Sequence, residues 1–416
     1  MNEILRQNAE QIARRAIDSV KPDEAVRRAL SNTDFPGRVF LVAAGKAAWQ
    51  MASAALSCLS VPIAGGVVIT KYQHVIHPLA GLTCYEAGHP VPDENSFLAT
   101  QAALDLTQDL QPADTVLFLL SGGGSALFEK PLILAQELQD ITQQLLASGA
   151  NIVEMNTIRK RLSAVKGGRF AQWCAPAKVQ AIILSDILGD PLDMIASGPA
   201  AADPSTCEQA QAIVKKYGIS LSPEAALCLG RETPKELNNV TAQVIGSVRQ
   251  LCASAAAACE ELGYEPIYLT DQLCCQAKEA GSFLAAILKS HAGDGRRVAY
   301  LAGGETVVHL TGKGLGGRNQ ELALAAAEGI DGIHHAAVIS VGSDGTDGPT
   351  DAAGGYVDGD TLKSLREKGL SVYDVLADND AYHALQQVDG LIVTGPTGTN
   401  VNDISIALLD LPEGSL

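Results

Sequence analysis

The sequence predicts an α/β fold, with a doubly wound, mostly parallel, Rossmann-like amino-terminal domain and a second, smaller α/β domain. The first observation is a set of six apolar runs that each end in a loop rich in glycine, serine and charged residues. The second is the alternation of these runs with longer Ala- and Leu-rich segments, which is typical of repeated βαβ units. The third is composition, because 47% hydrophobic but only 4% aromatic residues suit parallel strands covered by helices.

The first half of the chain contains four predicted strands. An amphipathic helix opens the chain over residues 1–20, and a helix-rich stretch runs from Leu132 to about Trp173. The predicted strands are 39–43, 66–69, 116–120 and 178–184.

The second half repeats the alternation. Predicted strands cover 242–247 and 264–270 and then start at Val298, Ala336 and Leu391. Predicted helices cover 248–263, 276–291, 319–329 and 360–369.

A polar stretch from Arg231 (RETPKELNN) is the predicted domain boundary. A chain of 416 residues exceeds the size at which a single core stops growing, so two domains are expected. The predicted domains are 1–236 and 237–416. An amino-terminal helix that packs on the second half would make this boundary discontinuous.

Composition and charge exclude several classes of protein. Acidic residues outnumber basic ones by 47 to 30, and a net charge of −17 disfavours binding to nucleic acid or anionic membranes. No apolar stretch is long enough to span a bilayer, and the amino terminus lacks a signal-peptide pattern. Nine cysteines without CxxC pairs indicate a reduced, cytoplasmic protein.

The first motif that carries chemistry is SGGGS, formed by Ser121, Gly122, Gly123, Gly124 and Ser125. Three consecutive glycines lack Cβ atoms and permit positive φ, so their backbone amides can point at one anion. The two serine hydroxyls would add donors. The motif predicts a phosphate or carboxylate cradle, and a flexible turn is the alternative.

Lys46 lies where the predicted strand 39–43 meets the start of a helix. The helix dipole and the unpaired amides of the first turn favour an anion there, and the ammonium adds a point charge. A solvated lysine at a helix start is the alternative.

A nominal dinucleotide fingerprint, GxGxxG, occurs at Gly312, Gly314 and Gly317. The complete fingerprint also needs an acidic residue about 20 positions on, at the end of the next strand. Here the next predicted strand begins later and ends at Ser343–Asp344, in another glycine loop. The match is therefore weak evidence for a nicotinamide cofactor.

Arg318 directly follows the third glycine of that fingerprint, at the start of a predicted helix. Its planar guanidinium suits a carboxylate or a transferring phosphoryl group better than a dinucleotide. A salt bridge with Glu305 or Glu321 is the alternative. Glu305 is also a candidate cofactor-binding residue.

Two loops are rich in aspartate and indicate a hard cation such as Mg²⁺. They contain Asp186, Asp190 and Asp193 in the first half, and Asp344, Asp347 and Asp351 in the second. Asp190 and Asp347 are the predicted metal ligands. About half of the six are expected to cap helices or fix turns instead.

A basic segment, NTIRKRLSAVKGGRFA, is unusual in this acidic chain. It supplies Arg159, Lys160, Arg161, Lys166 and Arg169. One or two of these are expected to bind an anionic ligand, and the others to form a solvated face.

Several common catalytic patterns are absent from the sequence. No Ser-His-Asp order, no His/Cys metal spacing and no Walker A motif occur. His89, in the turn GHPVPD, is interpreted as a structural histidine.

Together, these segments resemble the glycerate 2-kinase family, whose carboxy-terminal half is called the MOFRL domain. The resemblance spans nearly the whole chain, in the order AAGKAAWQMA, GHPVPDENS, LLSGGGSALFEKP, MNTIRKRLSAVKGGRFA, LSDILGDPLDMIASGP, GGETVVHLTGKGLGGRNQELAL, GSDGTDGPTDAAGG and TGPTGTNVND. The chain departs from the family at 200–202, where Ala-Ala-Ala stands in place of the usual Thr-Val-Pro. This departure bears on substrate preference.

The resemblance implies Mg²⁺- and ATP-dependent phosphorylation of the C2 hydroxyl of D-glycerate, giving 2-phosphoglycerate, in a cleft between the two domains. By the family's pattern, Lys46 and Arg318 act in catalysis. Lys46 would neutralise the transferring phosphoryl group, and Arg318 would clamp that group or the glycerate carboxylate. Ser121–Ser125 would supply amides, Asp190 or Asp347 would hold Mg²⁺, and Asp190 is the expected general base.

Two other functions stay open from the sequence. An NAD(P)-dependent hydroxypyruvate reductase is supported only by the nominal GxGxxG, and a non-catalytic nucleotide or sugar-acid sensor is disfavoured by the intact Lys46, Arg318 and Asp loops. The expected partners are ATP and D-glycerate, with no nucleic acid and no membrane. A homodimer is a candidate assembly.

Overall fold

The chain forms two compact units in the computed structural model, which describes residues 2–31 and 33–411. The amino-terminal unit is Pro22–Ile245, and the carboxy-terminal unit is Met1–Lys21 together with Gly246–Leu416. The division falls after Ile245, nine residues beyond the predicted boundary at 236. The first helix, α1 (Glu3–Ser19), belongs to the carboxy-terminal unit, so the boundary is discontinuous. Residue 1 of the predicted helix lies outside the described residues.

The sheet of the amino-terminal unit contains six strands. They are β1 (Val39–Ala44), β2 (Ile63–Lys71), β3 (Leu82–Ala87), β4 (Thr115–Leu120), β5 (Lys178–Leu184) and β6 (Val240–Gly246). Their order is β3-β2-β1-β4-β5-β6, and the pairs β1–β2, β1–β4, β2–β3 and β4–β5 are parallel. This is the Rossmann strand order, and it confirms the predicted fold of this unit.

The predicted strand at 242–247 explains the shifted boundary. It corresponds to β6, which completes the edge of the first sheet beside β5 instead of opening the second domain. β3 has no counterpart among the predicted strands, because its side chains are mostly half-buried or exposed and it lacks an apolar run.

Nine helices accompany this sheet in the described part of the chain, and several of them start at a side-chain cap. They are α2 (Pro22–Leu30), α3 (Ala48–Cys58), α4 (Glu94–Leu106), α5 (Gly124–Leu127), α6 (Ala135–Ala147), α7 (Ile152–Arg161), α8 (Arg169–Trp173), α9 (Cys207–Tyr217) and α10 (Pro223–Leu229). Reciprocal capping boxes at Asp93, Asn151 and Thr206 begin α4, α7 and α9.

The core of the amino-terminal unit lies on both faces of the sheet. Every residue of β1 and β4 is buried, as expected for central parallel strands between helical layers. On one face Phe118 packs against Phe128 and Phe170, with ring centroids 5.4 and 4.8 Å apart.

The sheet of the carboxy-terminal unit is mixed. Its strands are β7 (Glu265–Leu273), β8 (Val298–Gly304), β9 (Ala336–Gly342), β10 (Gly354–Asp358), β11 (Leu391–Ile392) and β12 (Asp403–Leu409), in the order β11-β10-β9-β12-β8-β7. Only β7–β8 is a parallel pair, while β12 runs antiparallel between β8 and β9. The sequence analysis missed β12 and β10, which return the chain in the opposite direction.

Helices cover both faces of this second sheet. They are α11 (Val248–Glu261), α12 (Ala277–His291), α13 (Arg318–Gly329), α14 (Thr361–Glu367), α15 (Val372–Ala377) and α16 (Ala381–Gln387). α1 packs on α11 and α12 packs on α13, which confirms a second α/β domain. Among the described helices, none is long and apolar enough to cross a membrane.

We expect Phe118→Ala to lower the free energy of unfolding by about 3–5 kcal/mol, because it leaves a cavity between two packed rings. Urea unfolding followed by fluorescence measures the change. Leu98→Ala is the matched control, since the side chain is 60% exposed and its loss should cost no more than about 0.5 kcal/mol. Equal losses in both variants would contradict this account of the core.

Candidate active site

The topological switch point of the first sheet lies between β1 and β4. From β1 the chain proceeds to β2 on one side, and it returns on the other side as β4. Ligands of open α/β sheets bind outside the carboxyl ends of the strands at such a point. The loops that begin there are Gly45–Ala47, after β1, and Ser121–Ser125, after β4.

These two loops are joined by backbone hydrogen bonds. The Lys46 amide donates to the Gly122 carbonyl at 2.8 Å, and the Ser121 amide donates to the Ala44 carbonyl at 3.0 Å. Gly45 has a φ of +130°, and a Cβ there would lie 2.2 Å from Ser121 Oγ. Only glycine therefore allows this close approach.

The backbone amides of Gly122, Gly123, Gly124 and Ser125 are unoccupied. Within the described part of the chain, no carbonyl or side chain accepts a hydrogen bond from any of the four. Gly123 has a φ of +85° and precedes α5, so consecutive amides face one region. Free consecutive amides at a left-handed step are the backbone feature that an anion cradle needs, and the cradle itself stays a prediction.

The serine hydroxyls of this loop do not serve as the free donors that the sequence suggested. Ser121 Oγ is buried and accepts the Ala47 amide at 3.0 Å. Ser125 Oγ lies 2.9 Å from Ser197 Oγ, which in turn donates to Asn156 Oδ1 at 3.0 Å. Both hydroxyls fix the loop, and the amides are left to bind an anion.

Lys46 stands beside this cradle, two residues before α3 begins. Its side chain is half-buried, and its ammonium forms no ion pair with any described residue. A Cβ at Gly123 would lie 3.3 Å from Lys46 Cγ, so the lysine stem crosses the glycine loop. The catalytic role of Lys46 stays a prediction.

A cavity of about 310 Å³ opens next to the glycine loop. Its polar lining includes His89, Ser125, Asn156, Arg159 and Asp186. The His89 ring lies 2.9 Å from the position of a Cβ at Gly123, and the Asp186 carboxylate lies 2.1 Å from that of a Cβ at Gly122. The structure thus brings His89 and Asn156, to which the sequence analysis gave no site role, together with Arg159 and Asp186.

The basic segment is mostly structural. Lys160 bridges Asp193 and Asp203 at 2.9 and 3.1 Å, and Arg161 contacts Asp203 and Glu232. These partners hold two of the five predicted basic residues inside the unit. Lys160 and Arg161 therefore do not belong to the solvated face that we expected.

Two of the remaining three residues of the segment also have structural partners. Buried Lys166 pairs with buried Glu129 at 2.7 Å, and Arg169 donates to the carbonyls of Arg161 and Ser163. Of the five side chains, only the Arg159 guanidinium has no hydrogen bond or ion pair within the described residues, and burial lowers its pKa.

Asp190 lies in a left-handed conformation, with a φ of +53°. Its Oδ1 atom is buried and has no hydrogen-bond partner among the described residues. A buried carboxylate oxygen without a partner is costly unless a cation or water completes it. The structure places Asp186, not Asp190, against the triple-glycine loop.

Arg318, at the first position of α13, is engaged by acidic side chains. Its guanidinium donates to both carboxylate oxygens of Asp403, at 2.5 and 3.0 Å, and to Glu305 Oε1 at 3.1 Å. Although burial disfavours the charged guanidinium, the hydrogen bond that Arg318 donates to Asp403 raises the pKa of Arg318. The predicted salt bridge with Glu305 is present, whereas Glu321 bonds Asn379. Asp403, at the start of β12, was missed in the sequence.

Asp347 fixes the start of α13. Its two carboxylate oxygens accept the amides of Asn319 and Gln320 at 3.1 and 2.8 Å, and the side chain is buried. Burial raises the pKa of Asp347 to about 6. These bonds make it a helix cap and leave it a poor fit to the predicted magnesium role.

The GxGxxG loop differs from the triple-glycine loop in one decisive respect. Asn379 Oδ1 accepts the amides of Thr311 and Gly312 at 2.7 and 2.9 Å, and the Gly314 amide donates to the Asp378 carbonyl at 2.8 Å. A Cβ at Gly312 or Gly314 would lie 2.3 or 2.4 Å from this neighbouring segment. The glycines permit close packing, and the amides of Gly312 and Gly314 are not available to a pyrophosphate.

A further cavity in the carboxy-terminal unit, of about 670 Å³, lies along this loop and includes Glu305 and Arg318 in its lining. No group of three or more His, Cys, Asp or Glu side chains suited to a metal ion occurs within residues 2–31 and 33–411. Mg²⁺ sites that use substrate phosphates need only one or two carboxylates.

Comparison with family models gives two matches. Residues 8–229 match a domain of unknown function, DUF4147, and residues 298–403 match the MOFRL family.

Individual relatives cover nearly the whole chain. It is 51% identical to a D-glycerate 2-kinase of Thermotoga maritima, over 98% of this chain and 99% of that protein. A putative hydroxypyruvate reductase of Agrobacterium vitis is 40% identical, over 97% and 95% of the two chains. A crystal structure of glycerate kinase from Thermotoga maritima superposes with a TM-score of 0.95, at 50% identity, covering 98% of this chain and 100% of that one.

The raised pKa of Asp347 predicts a pH dependence of stability. Between about pH 4 and pH 6 the folded carboxyl retains a proton that the unfolded chain, with its ordinary pKa of 3.8, has lost. The free energy of unfolding should therefore fall as the pH rises through this window, by about 3 kcal/mol in total from this group. Asp347→Asn has no carboxyl group that titrates at this position. The free energy of unfolding of the wild type minus that of the variant, measured in urea, should therefore decrease from pH 4.5 to pH 7. A difference that stays constant over this range would contradict the assignment.

Proposed function

Because the chain belongs to the glycerate 2-kinase family, we propose that it transfers the γ-phosphoryl group of ATP to the C2 hydroxyl of D-glycerate, giving 2-phospho-D-glycerate and ADP. The observation that carries this proposal is the run of unoccupied amides at Gly122–Ser125 beside the unpaired Lys46, at the switch point of a Rossmann sheet.

Phosphoryl transfer suits such an arrangement because it depends on positioning and charge stabilisation, with little covalent chemistry for the protein to do. Amides that are already oriented toward one region need no reorganisation when negative charge develops on the phosphoryl oxygens. Lys46 supplies a full positive charge at the same place. We assign ATP as donor and the Gly122–Ser125 amides as its phosphate cradle.

Arg318 is proposed as a second cation of the reaction. Three of its five N–H groups are used by Asp403 and Glu305, which leaves two that can donate to an anion. Asp403 and Glu305 fix the orientation of the planar Arg318 guanidinium. Glu305, which also accepts from Asn402 at 3.2 Å, acts in this proposal on Arg318 and not directly on the nucleotide.

The residues of the amino-terminal unit fit Mg²⁺. The buried, unpartnered Oδ1 of Asp190 is a hard oxygen ligand of the kind that Mg²⁺ prefers, with substrate phosphates and water as the other ligands. When bound, the ion would neutralise charge on the phosphates. Asp347 is not proposed for this role, because α13 occupies both its oxygens.

The reductase alternative has no geometric support in this chain. It rested on the GxGxxG loop, in which the amides of Gly312 and Gly314 already donate to Asn379 and Asp378. The reductase name appears among the relatives, but at 40% identity against 51% for the kinase. Cytoplasmic location and a homodimer stay predictions from the sequence.

Two assays on the purified protein test the proposed function. A coupled ATP–D-glycerate assay with ³¹P NMR of the product should give 2-phosphoglycerate and no 3-phosphoglycerate. An NADH oxidation assay with hydroxypyruvate should show no turnover. Reversed results would support the reductase, and ligand binding without any turnover would support a sensor.

We expect Lys46→Ala to lower kcat/KM by about 100-fold or more, the effect expected from removing one preorganised charge. The coupled assay measures it. Lys215→Ala, at an exposed position of α9, is the matched control and should retain activity. Near-wild-type activity of Lys46→Ala would remove Lys46 from the reaction.

Arg318→Lys should also lower kcat/KM by about 100-fold, because lysine cannot reproduce a planar fork that bonds both Asp403 oxygens. The same exchange at Arg366, which contacts Asp331 at the surface, should be neutral. If Arg318→Lys keeps full activity while its thermal stability falls, the residue forms a structural salt bridge only.

A further inference from the structure

The cavity beside the triple-glycine loop contains a basic side chain whose charge is not matched. The positive charge of Arg159, in α7, is attracted by the carboxylate of Glu129. However, Glu129 is already paired with Lys166 at 2.7 Å, and both of those side chains are buried. The group of three therefore carries one excess positive charge. Burial lowers the pKa of Arg159, which is the mark of a guanidinium that an anion would stabilise.

The same cavity contains an imidazole without a partner. Neither ring nitrogen of His89 has a hydrogen-bond partner within the described residues, whereas His74 and His291 each have one. Its ring lies against Gly123, on the loop that also meets the Lys46 stem. A structural histidine, the interpretation favoured by the sequence, would have its nitrogens satisfied.

We propose that this cavity is the glycerate subsite, in which Arg159 binds the carboxylate and His89 accepts the proton of the C2 hydroxyl. The assignment rests on the proposed function for its substrate and names the site and the base. At about 310 Å³ the cavity lies at the small end of ligand pockets, which suits a three-carbon acid. Arg159 gives a bidentate contact that an amide or alcohol in place of the carboxylate cannot reproduce.

The proton transfer is balanced as follows. The C2 O–H bond breaks, and its proton moves to a ring nitrogen of His89. The hydroxyl oxygen forms a bond to the γ-phosphorus of ATP while the bond to the β,γ-bridging oxygen breaks, and that electron pair leaves with ADP. The imidazolium then releases its proton to water.

His89 is in the basic form at neutral pH. Burial, followed by the positive charges of Lys46, Lys71 and His74, lowers its pKa below the ordinary 6.5. Arg159 and Asp186 line the same cavity. Asp190, the base expected from the sequence, is less suited, because a carboxylate that holds Mg²⁺ is a weaker base.

The carboxylate assignment is tested with D-glycerate and its amide as substrates. Arg159→Gln should raise KM for D-glycerate and lower its kcat/KM by about 100-fold, leave KM for ATP unchanged, and reduce the preference for glycerate over the amide. Arg159→Lys, which keeps the charge, should recover part of the loss. Lys215→Gln is the control. A rise in KM for ATP alone, or an unchanged preference for glycerate, would overturn the subsite.

The base is tested by the pH dependence of kcat/KM, which reports the groups of the free enzyme. Wild-type activity should fall as the pH drops through the His89 pKa, and His89→Gln should lower kcat by about 100-fold and abolish that limb. His334→Gln, at an exposed histidine, should leave the profile unchanged. If Asp186→Asn abolishes the limb and His89→Gln does not, the base is Asp186 and the assignment of His89 is wrong.

Controls separate these outcomes from misfolding and from failure of the proposed function. Circular dichroism and urea unfolding establish that each variant is folded, and His89→Asn replaces His89→Gln if the latter is not. Absence of glycerate phosphorylation by the wild-type protein would reject the proposed function. Turnover by the wild type with unaffected Arg159 and His89 variants would reject only the subsite.

Discussion

The close approach of the loops after β1 and β4 is the constraint on which the rest of the site depends. It requires glycine at position 45, and a buried serine at 121 whose hydroxyl accepts the Ala47 amide. The chain of each loop is thereby fixed by the other, and the next four amides have no acceptor among the described residues. Gly123, Gly124 and Ser125 line the small cavity, and the Lys46 stem lies against Gly123. The proposed anion site is thus a consequence of how two central strands end.

The two glycine loops differ in whether their backbone amides already donate hydrogen bonds to the protein. This difference could not be predicted from their sequences. Both follow the pattern of a phosphate-binding loop, and by motif alone GxGxxG is the better known. The amides of Thr311 and Gly312 are satisfied by Asn379, more than sixty residues away. A local pattern shows that glycine is needed, but not whether for a ligand or for a neighbouring segment. The fold of the first unit was predictable because apolar runs and helical periodicity are local, whereas β12 was missed because its antiparallel insertion depends on distant partners.

The basic segment illustrates the same limit for charged side chains. Its five residues are similar in sequence, yet Lys160, Arg161 and Lys166 pair with carboxylates supplied by other segments. Only the three-dimensional arrangement shows that Arg159 has no such partner. The same holds for Asp186, placed against Gly122, and for His89, whose ring lies over Gly123. Residue type predicted that an anion site would be present, and the distant partners decided which side chains remain for it.

Backbone strain next to the glycine loop indicates how firmly this geometry is held. Ala196, Ser197 and Gly198 are consecutive left-handed residues, with φ of +51°, +60° and +66°, and each non-glycine residue in that region costs roughly 1–2 kcal/mol. The turn persists because Ser197 bonds both Ser125 and Asn156.

Packing holds this turn as well. The Ala196 Cβ lies 2.6 Å from the position that a Cβ at Gly124 would take, so no larger residue than glycine fits the loop there. Lys160 secures the chain on both sides of the turn through Asp193 and Asp203. Strain held in this way by buried contacts is typical of functional sites. Here it holds the turn against Gly124, Ser125 and Asn156, which line one small cavity together with Arg159. A reaction that depends on charge placement requires such a fixed site.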